Sequence, residues 1–251
     1  MSEPKRVLLA GATGLVGSRV MEASIGRPWL HLIALTRREA PMPRGARMEM
    51  LVAEPAGWPE AVAAIAPQAV ICALGTTWRA AGEDEDAFRA VDHDLVLTLA
   101  RAAKEAGAEN FVLVSSAGAN AHATTFYLRV KGEVEVAVGK LKFRRFDILR
   151  PGLLRGPRGG ERRVKERLGI LASPLTDHLL RGGKRGFRSI DARIVAEAAI
   201  QGSHEKAGGR FFHDNDGIRR LARRLEPPPE RGAPAESLRR APLGPTGRVV
   251  R

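Results

Sequence analysis

The chain holds a single tyrosine, Tyr127, in the stretch YLRVKGEVE, and a lysine, Lys131, follows it by four residues. Residues four apart share one face of a helix, so the phenol and the ammonium are neighbours. A free phenol titrates near about 10 and exchanges its proton poorly at neutral pH. A nearby positive charge favours the phenolate, and a shift of about two to three units corresponds to roughly 3–4 kcal/mol. The pair is then a general acid/base for use near neutrality. Ser115 and Ser116 stand 12 and 11 residues before Tyr127, a spacing that lets a serine hydroxyl and the phenol meet at one carbonyl oxygen. The chemistry to which these four residues point is proton transfer at a carbonyl or an alcohol.

Such residues need a rigid scaffold, and the first half of the chain supplies its pattern. RVLLA (6–10), HLIALT (31–36), MEMLVA (48–53), AVICALG (69–75), FVLVSS (111–116) and RFDILR (145–150) read as strands, with GRFFHD (209–214) as a last one. Helices fit between them at 18–25, 58–66, 84–106 and 124–140, and further helical pieces at 161–170, 174–181 and 191–201. Near-continuous apolar strands alternating with helices predict an α/β fold, a doubly wound parallel sheet with both faces covered. Ligands of such sheets lie beyond the carboxyl ends of the strands.

AGATGLVG places Gly11, Gly14 and Gly17 between the first strand and the first helix. That is the pattern of a tight turn, a close backbone approach to a pyrophosphate, and a helix packed hard on its sheet. The helix N-terminus adds unpaired N–H groups. With Thr13, Leu15 and Val16, the glycines form the expected phosphate-binding turn of a dinucleotide. An acid after the second strand would read the 2′-hydroxyl of NAD, but here LTRR supplies Arg37 and Arg38. Guanidinium groups favour a 2′-phosphate, so NADP(H) is expected rather than NAD(H). ALGTT (73–77) is small enough for backbone to run beside the cofactor, with Leu74 and Gly75 in contact.

AGATGLVG, LTRR, ALGTT, LVSSAGA, YLRVKGEVE and LRPGLL, in this order and spacing, resemble the short-chain dehydrogenase/reductase superfamily. Within it they are most similar to the atypical branch of Tat-interacting oxidoreductase-like proteins. The resemblance spans about residues 5–155 and, more loosely, HDNDGIRRLA at 213–222. It implies a Rossmann-type fold, with Tyr127 as proton donor and acceptor and Lys131 holding the nicotinamide ribose. Pro151, Leu153 and Leu154 would line the nicotinamide end. The superfamily's asparagine has no counterpart that the motif places. The branch also holds regulatory proteins, so an NADPH-sensing protein without turnover stands as the alternative to an enzyme.

The remaining composition bounds the rest. The net charge of +13 is concentrated, with 14 basic and 4 acidic side chains in residues 141–190 and 9 and 3 in residues 219–251. No aromatic platform accompanies them, which argues against a nucleic-acid partner. A small C-terminal substrate-side segment is expected over about 155–210, and a basic, proline-rich tail over 225–251. One cysteine, Cys72, fits a reducing compartment and a buried apolar role, and no run reaches the length of a membrane span. The expectation is a cytoplasmic protein, without metal or membrane, able to pair as a homodimer. Asp92 and Asp94, either side of His93, are expected to face solvent or a neighbouring turn, and Glu83–Asp86 to cluster at a helix N-terminus.

Overall fold

Val7, Leu8, Leu9 and Ala10 are all fully buried, which successive strand residues achieve only when both faces of their sheet are covered. The computed structural model describes residues 3–156 and 188–227 and has that architecture. Strands β1 (Lys5–Ala10), β2 (Leu30–Thr36), β3 (Glu49–Val52), β4 (Ala69–Cys72), β5 (Asn110–Val114) and β6 (Arg145–Leu149) precede a short pair, β7 (Leu154–Arg155) and β8 (Ile190–Asp191), and then β9 (Gly209–His213). The main sheet has seven strands in the order β3-β2-β1-β4-β5-β6-β9, every pair parallel. This is the doubly wound α/β sheet that the sequence predicts, with GRFFHD as its last strand.

Alternate residues serve opposite layers. Val7, Leu9, Leu32, Ala34, Ile71 and Val112 face one side, against α1 (Leu15–Ala23), α6 (Ala192–His204) and α7 (Asn215–Ala222). Leu8, Ala10, Ile33, Leu35, Val70, Cys72 and Phe111 face the other, under α2 (Trp58–Ile65), α4 (Leu95–Glu105) and α5 (Phe126–Gly139). Two apolar layers therefore account for strands with no polar alternation.

Several boundaries differ from the sequence reading, each for a local reason. β4 ends at Cys72, so Ala73–Thr77 is loop. The helix expected over 84–106 is three pieces: α3 (Glu85–Arg89), a π-helical turn (Ala90–Asp94) and α4. Asp84 caps α3 by accepting from the Ala87 N–H at 2.7 Å, as an acidic helix start should. Of the substrate-side segment expected over 155–210, α6 and β9 belong to the sheet and its covering layer. The helical pieces read at 161–170 and 174–181, and the tail beyond 227, lie outside the described residues.

The turn from β1 into α1 is closely packed, backbone on backbone. Gly11 has φ +88, and a β-carbon on it would stand 2.4 Å from the Ala73 carbonyl oxygen. One on Gly17 would stand 2.0 Å from the Gly11 carbonyl oxygen. Backbone there touches backbone, which only glycine permits. Gly17→Ala is expected to lower stability by at least about 1–3 kcal/mol through overpacking. Gly57→Ala, where a β-carbon meets nothing within 4 Å, should stay within about 0.5 kcal/mol of the parent. Urea denaturation of the two variants beside the parent protein checks both.

Candidate functional site

Sheet register builds the site. Ala10 of β1 is level with Leu35 of β2 and with Cys72 of β4, so Gly11 and Ala73 leave the sheet together beside Thr36, the last residue of β2. They open a cleft whose lining includes Gly11, Thr13, Gly14, Arg37, Arg38, Leu74 and Gly75. Gly14 precedes α1 in an extended conformation with no side-chain cap, and no acid occupies the first turn, so N–H groups of the helix start remain as donors.

The cleft fits a dinucleotide on three counts. The glycine turn leaves a cradle that any β-carbon would fill. The buried Thr36 hydroxyl has no hydrogen-bond partner among the described residues. No acid lines the cleft, and among the described residues neither Arg37 nor Arg38 is engaged in an ion pair. Leu35, Trp58, Val91 and Leu95 complete the wall and were not among the residues singled out in the sequence. Trp58 is fixed by donating its indole N–H to the Ala53 carbonyl at 3.0 Å. Apolar residues on α2 and the π-helical turn carry no motif, and only the register of the sheet brings them to this end.

Not every residue of the glycine stretch faces the cleft. Val16 and Gly17 are buried, and Val16 joins the core beneath α1. Leu15 approaches Gly156, where an added β-carbon would be 3.2 Å from its Cδ1. Pro151 is buried, and its carbonyl accepts from the Ala117 N–H at 2.8 Å. Leu154 packs against the core and pairs with Ile190 across β7 and β8, whereas the Leu153 side chain is 53% exposed.

Tyr127 and Lys131 occupy successive turns of α5. The tyrosine is 38% exposed, and its ring meets the edge of the buried Phe88 at 5.8 Å. Lys131 is buried, and its ammonium lies 2.7 Å from Asp92 Oδ1. Asp92 is buried as well, and its Oδ2 accepts the Thr76 N–H at 2.7 Å. Of the two settings expected for Asp92, solvent or a neighbouring turn, burial rules out solvent, and the residue instead meets the loop at Thr76 and helix α5. Counted from Phe88, positions 92, 95 and 99 form one inward stripe, and the π-helical turn directs the aspartate into it. Burial alone would lower the Lys131 pKa, but the Asp92 carboxylate outweighs it, helped by the Tyr127 phenol, and the ammonium is held above the ordinary lysine value. A β-carbon added to Gly75 would lie 3.5 Å from Asp92 Oδ1 and 3.6 Å from Lys131 Nζ. The ion pair therefore borders the cleft.

The two serines are not equivalent. Ser115 is buried and donates to Glu135 Oε1 at 2.5 Å, and Glu135 is also gripped by Arg150. Its hydroxyl belongs to a network that anchors α5 to the end of β6. Ser116 is half-buried, and its hydroxyl makes a long 3.3 Å contact with the Ala117 carbonyl, which leaves it able to turn.

A parallel sheet of this order, with this glycine turn and cleft, is a Rossmann-type nucleotide-binding domain. Residues 11–169 match the family described as NAD(P)H-binding, and the chain belongs to it. Its relatives include the mitochondrial protein fmp52 of Aspergillus fumigatus, 35% identical over 201 residues that cover 77% of this chain and 85% of that protein. The mitochondrial FMP52 of Saccharomyces cerevisiae is 40% identical over 154 residues, 60% of this chain and 66% of that one. In fold, the chain is similar to a Thermus thermophilus UDP-glucose 4-epimerase crystallised with NAD, with a TM-score of 0.61 at 20% identity over 88% of this chain and 82% of that one. The relatives' mitochondrial names overturn the expectation of a cytoplasmic protein. A lone cysteine signals a reducing interior, which does not separate cytosol from mitochondrion.

Cys72, at the end of β4, is fully buried, and burial pushes its thiol up to about 11. It therefore stays protonated across the neutral range and is unsuited to nucleophilic attack. In the folded protein at pH 8 it should resist iodoacetamide, then react fully once urea unfolds the chain. Mass spectrometry of the two samples distinguishes them, and rapid native labelling would contradict this burial.

Proposed function

We propose that the chain is an NADP(H)-dependent oxidoreductase that interconverts a small carbonyl compound and its alcohol. The observation that carries the proposal is the join between cleft and helix, where Lys131 and Asp92 border Gly75 with Tyr127 one turn away on α5. The nicotinamide, when bound, supplies or accepts the hydride. The chain's own residues do the rest. Tyr127 gives a proton from its hydroxyl to the developing alkoxide, or takes one back in the reverse direction. Ser116, whose hydroxyl is free to turn, orients the substrate oxygen, and Ser115 braces α5 through Glu135. Lys131 holds the nicotinamide ribose, and Pro151, Leu153 and Leu154 form the nicotinamide end. Trp78 is 43% exposed, and with Phe126 and Phe88 it extends an aromatic wall from Tyr127, with centroids 5.6–6.4 Å apart. That wall favours a substrate with an apolar flank beside its carbonyl.

Arg37 and Arg38 support NADP(H) over NAD(H), since both line the cleft among no acids. The likeness of its motifs to the Tat-interacting oxidoreductase-like branch accords with this assignment. The relatives' names support a mitochondrial association. A second function, NADPH sensing without turnover, is favoured by one observation: the Lys131 charge is already partnered by Asp92. A broad panel of carbonyl compounds separates the two, since ordinary turnover of any member argues against a pure sensor.

Tyr127→Phe should retain NADPH and lose turnover by about 10²–10⁴, and undiminished turnover would remove the mechanism. Replacing Arg37 and Arg38 with serine should weaken NADPH binding by about tenfold or more, the worth of one lost charge-assisted bond. NADH binding should hardly change. Calorimetric titration with each nucleotide reads this directly, and equal losses for both would refute the 2′-phosphate role.

A further inference from the structure

We propose that Asp92 is a positioning residue that fixes Lys131 and determines how much of its positive charge reaches the Tyr127 phenol. The inference deepens the oxidoreductase proposal by adding a control on the same site. It rests on that proposal only for the importance of Tyr127.

The geometry is specific. Asp92 projects from the π-helical turn Ala90–Asp94, a distortion that often marks functional positions in helices. One carboxylate oxygen faces Lys131 Nζ at 2.7 Å and the other takes the Thr76 N–H at 2.7 Å. The aspartate side chain is fully buried, and 8% of the lysine side chain is exposed, so little water screens the pair. Asp92 thus joins three elements: the loop after β4 that lines the cleft, the π-helical turn, and α5.

A carboxylate this close to an ammonium makes the two nearly neutral as seen from a third group. Tyr127 then meets a dipole instead of a bare cation. The same carboxylate offsets the burial that acts to lower the lysine's pKa, and with it the ammonium is held above its ordinary value. Other charged and titratable groups near the pair are few. Cys72 faces it from β4 with a thiol that stays neutral. Arg89, from α3, and Glu133, on α5, pair with each other at 2.8 Å, and Arg129 lies over the Phe126 ring. None of these replaces Asp92 as the partner of Lys131. If the carboxylate were removed, the phenolate would be the anion at hand to balance the ammonium, and the first proton to leave would come from Tyr127.

The chain's single tyrosine makes this measurable without a substrate. Phenolate absorbance in the near ultraviolet reports Tyr127 alone, because tryptophan does not titrate in the same range. The proteins to compare are the parent chain, Asp92→Asn, and the double variant Asp92→Asn with Lys131→Met, each checked for folding by circular dichroism across the titration. The Asp92→Asn midpoint should fall about one pH unit or more below the parent, a tenfold change in acid constant. The double variant should return to within about half a unit of the parent. An unchanged midpoint in Asp92→Asn, or one shared by both variants, overturns the inference. Should Asp92→Asn alone lose its fold, the parent and the double variant decide. Agreement within about half a unit supports a neutral pair, and a double-variant midpoint about one unit or more above the parent shows Lys131 acting as a bare cation. Absence of turnover with every carbonyl compound would defeat the oxidoreductase proposal and leave these midpoints untouched.

Discussion

The backbone contact between Gly11, Gly17 and Ala73 is the constraint from which the rest follows. β1 is flanked by β2 on one side and β4 on the other, and the chain leaves the sheet on opposite faces at that point. A crevice opens where the strand order reverses, but it survives only if no side chain fills it. At Gly11 and Gly17 an added β-carbon would fall within 2.4 Å of main-chain oxygen, so the cleft exists because side chains are missing. The register that levels Ala10 with Leu35 and Cys72 then sets its two walls. Arg37 and Arg38 come from one side, and the loop from Ala73 to Thr77 from the other.

The opposite end of the site depends on α5, which is held by charge as much as by packing. Val130, Val134 and Val138 are buried against their surroundings, yet Lys131 and Glu135 turn inward with them. Each finds an opposite charge, Asp92 for the lysine and Arg150 for the glutamate. Burying an ion costs several kcal/mol, and even a well-made pair often stabilises no more than apolar residues of the same volume. Stability alone is therefore a weak reason for an ammonium and a carboxylate beneath a phenol. Their orientation supplies a stronger one. Two pairs on one helix fix its rotation about its own axis, and that rotation decides where Tyr127 stands relative to the loop at Gly75.

Much of this was legible in the residues alone. Uninterrupted apolar strands with helices between them dictate a covered parallel sheet, and glycines at 11, 14 and 17 after the first strand mark the turn that binds phosphate. Periodicity failed in particular places. Asp92 reads as a surface acid because its neighbours are His93 and Asp94, and a charged residue in an inward stripe looks like an error in the pattern until its partner 39 positions later is known. Ser115 and Ser116 are indistinguishable in sequence, since the difference between them is Glu135, which reaches back from α5. Trp58, Val91 and Leu95 carry ordinary core signatures. Only strand register, a property of the assembled sheet, shows that they stand at its carboxyl end.

The same distinction separates cofactor from substrate. Everything that addresses a dinucleotide follows from the sheet: a turn without side chains, a helix start without a cap, and a strand end that carries arginines. The fold alone is shared with an epimerase at 20% identity. The surface beside Tyr127 is governed differently. Trp78 stands on a loop that neither strand register nor helix period constrains, and its ring is held by Phe126 and Phe88. The turn is closed by its own backbone bonds, from the Ala81 N–H to the Thr77 carbonyl at 2.9 Å and from the Glu83 N–H to the Trp78 carbonyl at 3.0 Å. On the proposed oxidoreductase function, the aromatic wall, more than the nucleotide cleft, is where this chain's chemistry becomes its own.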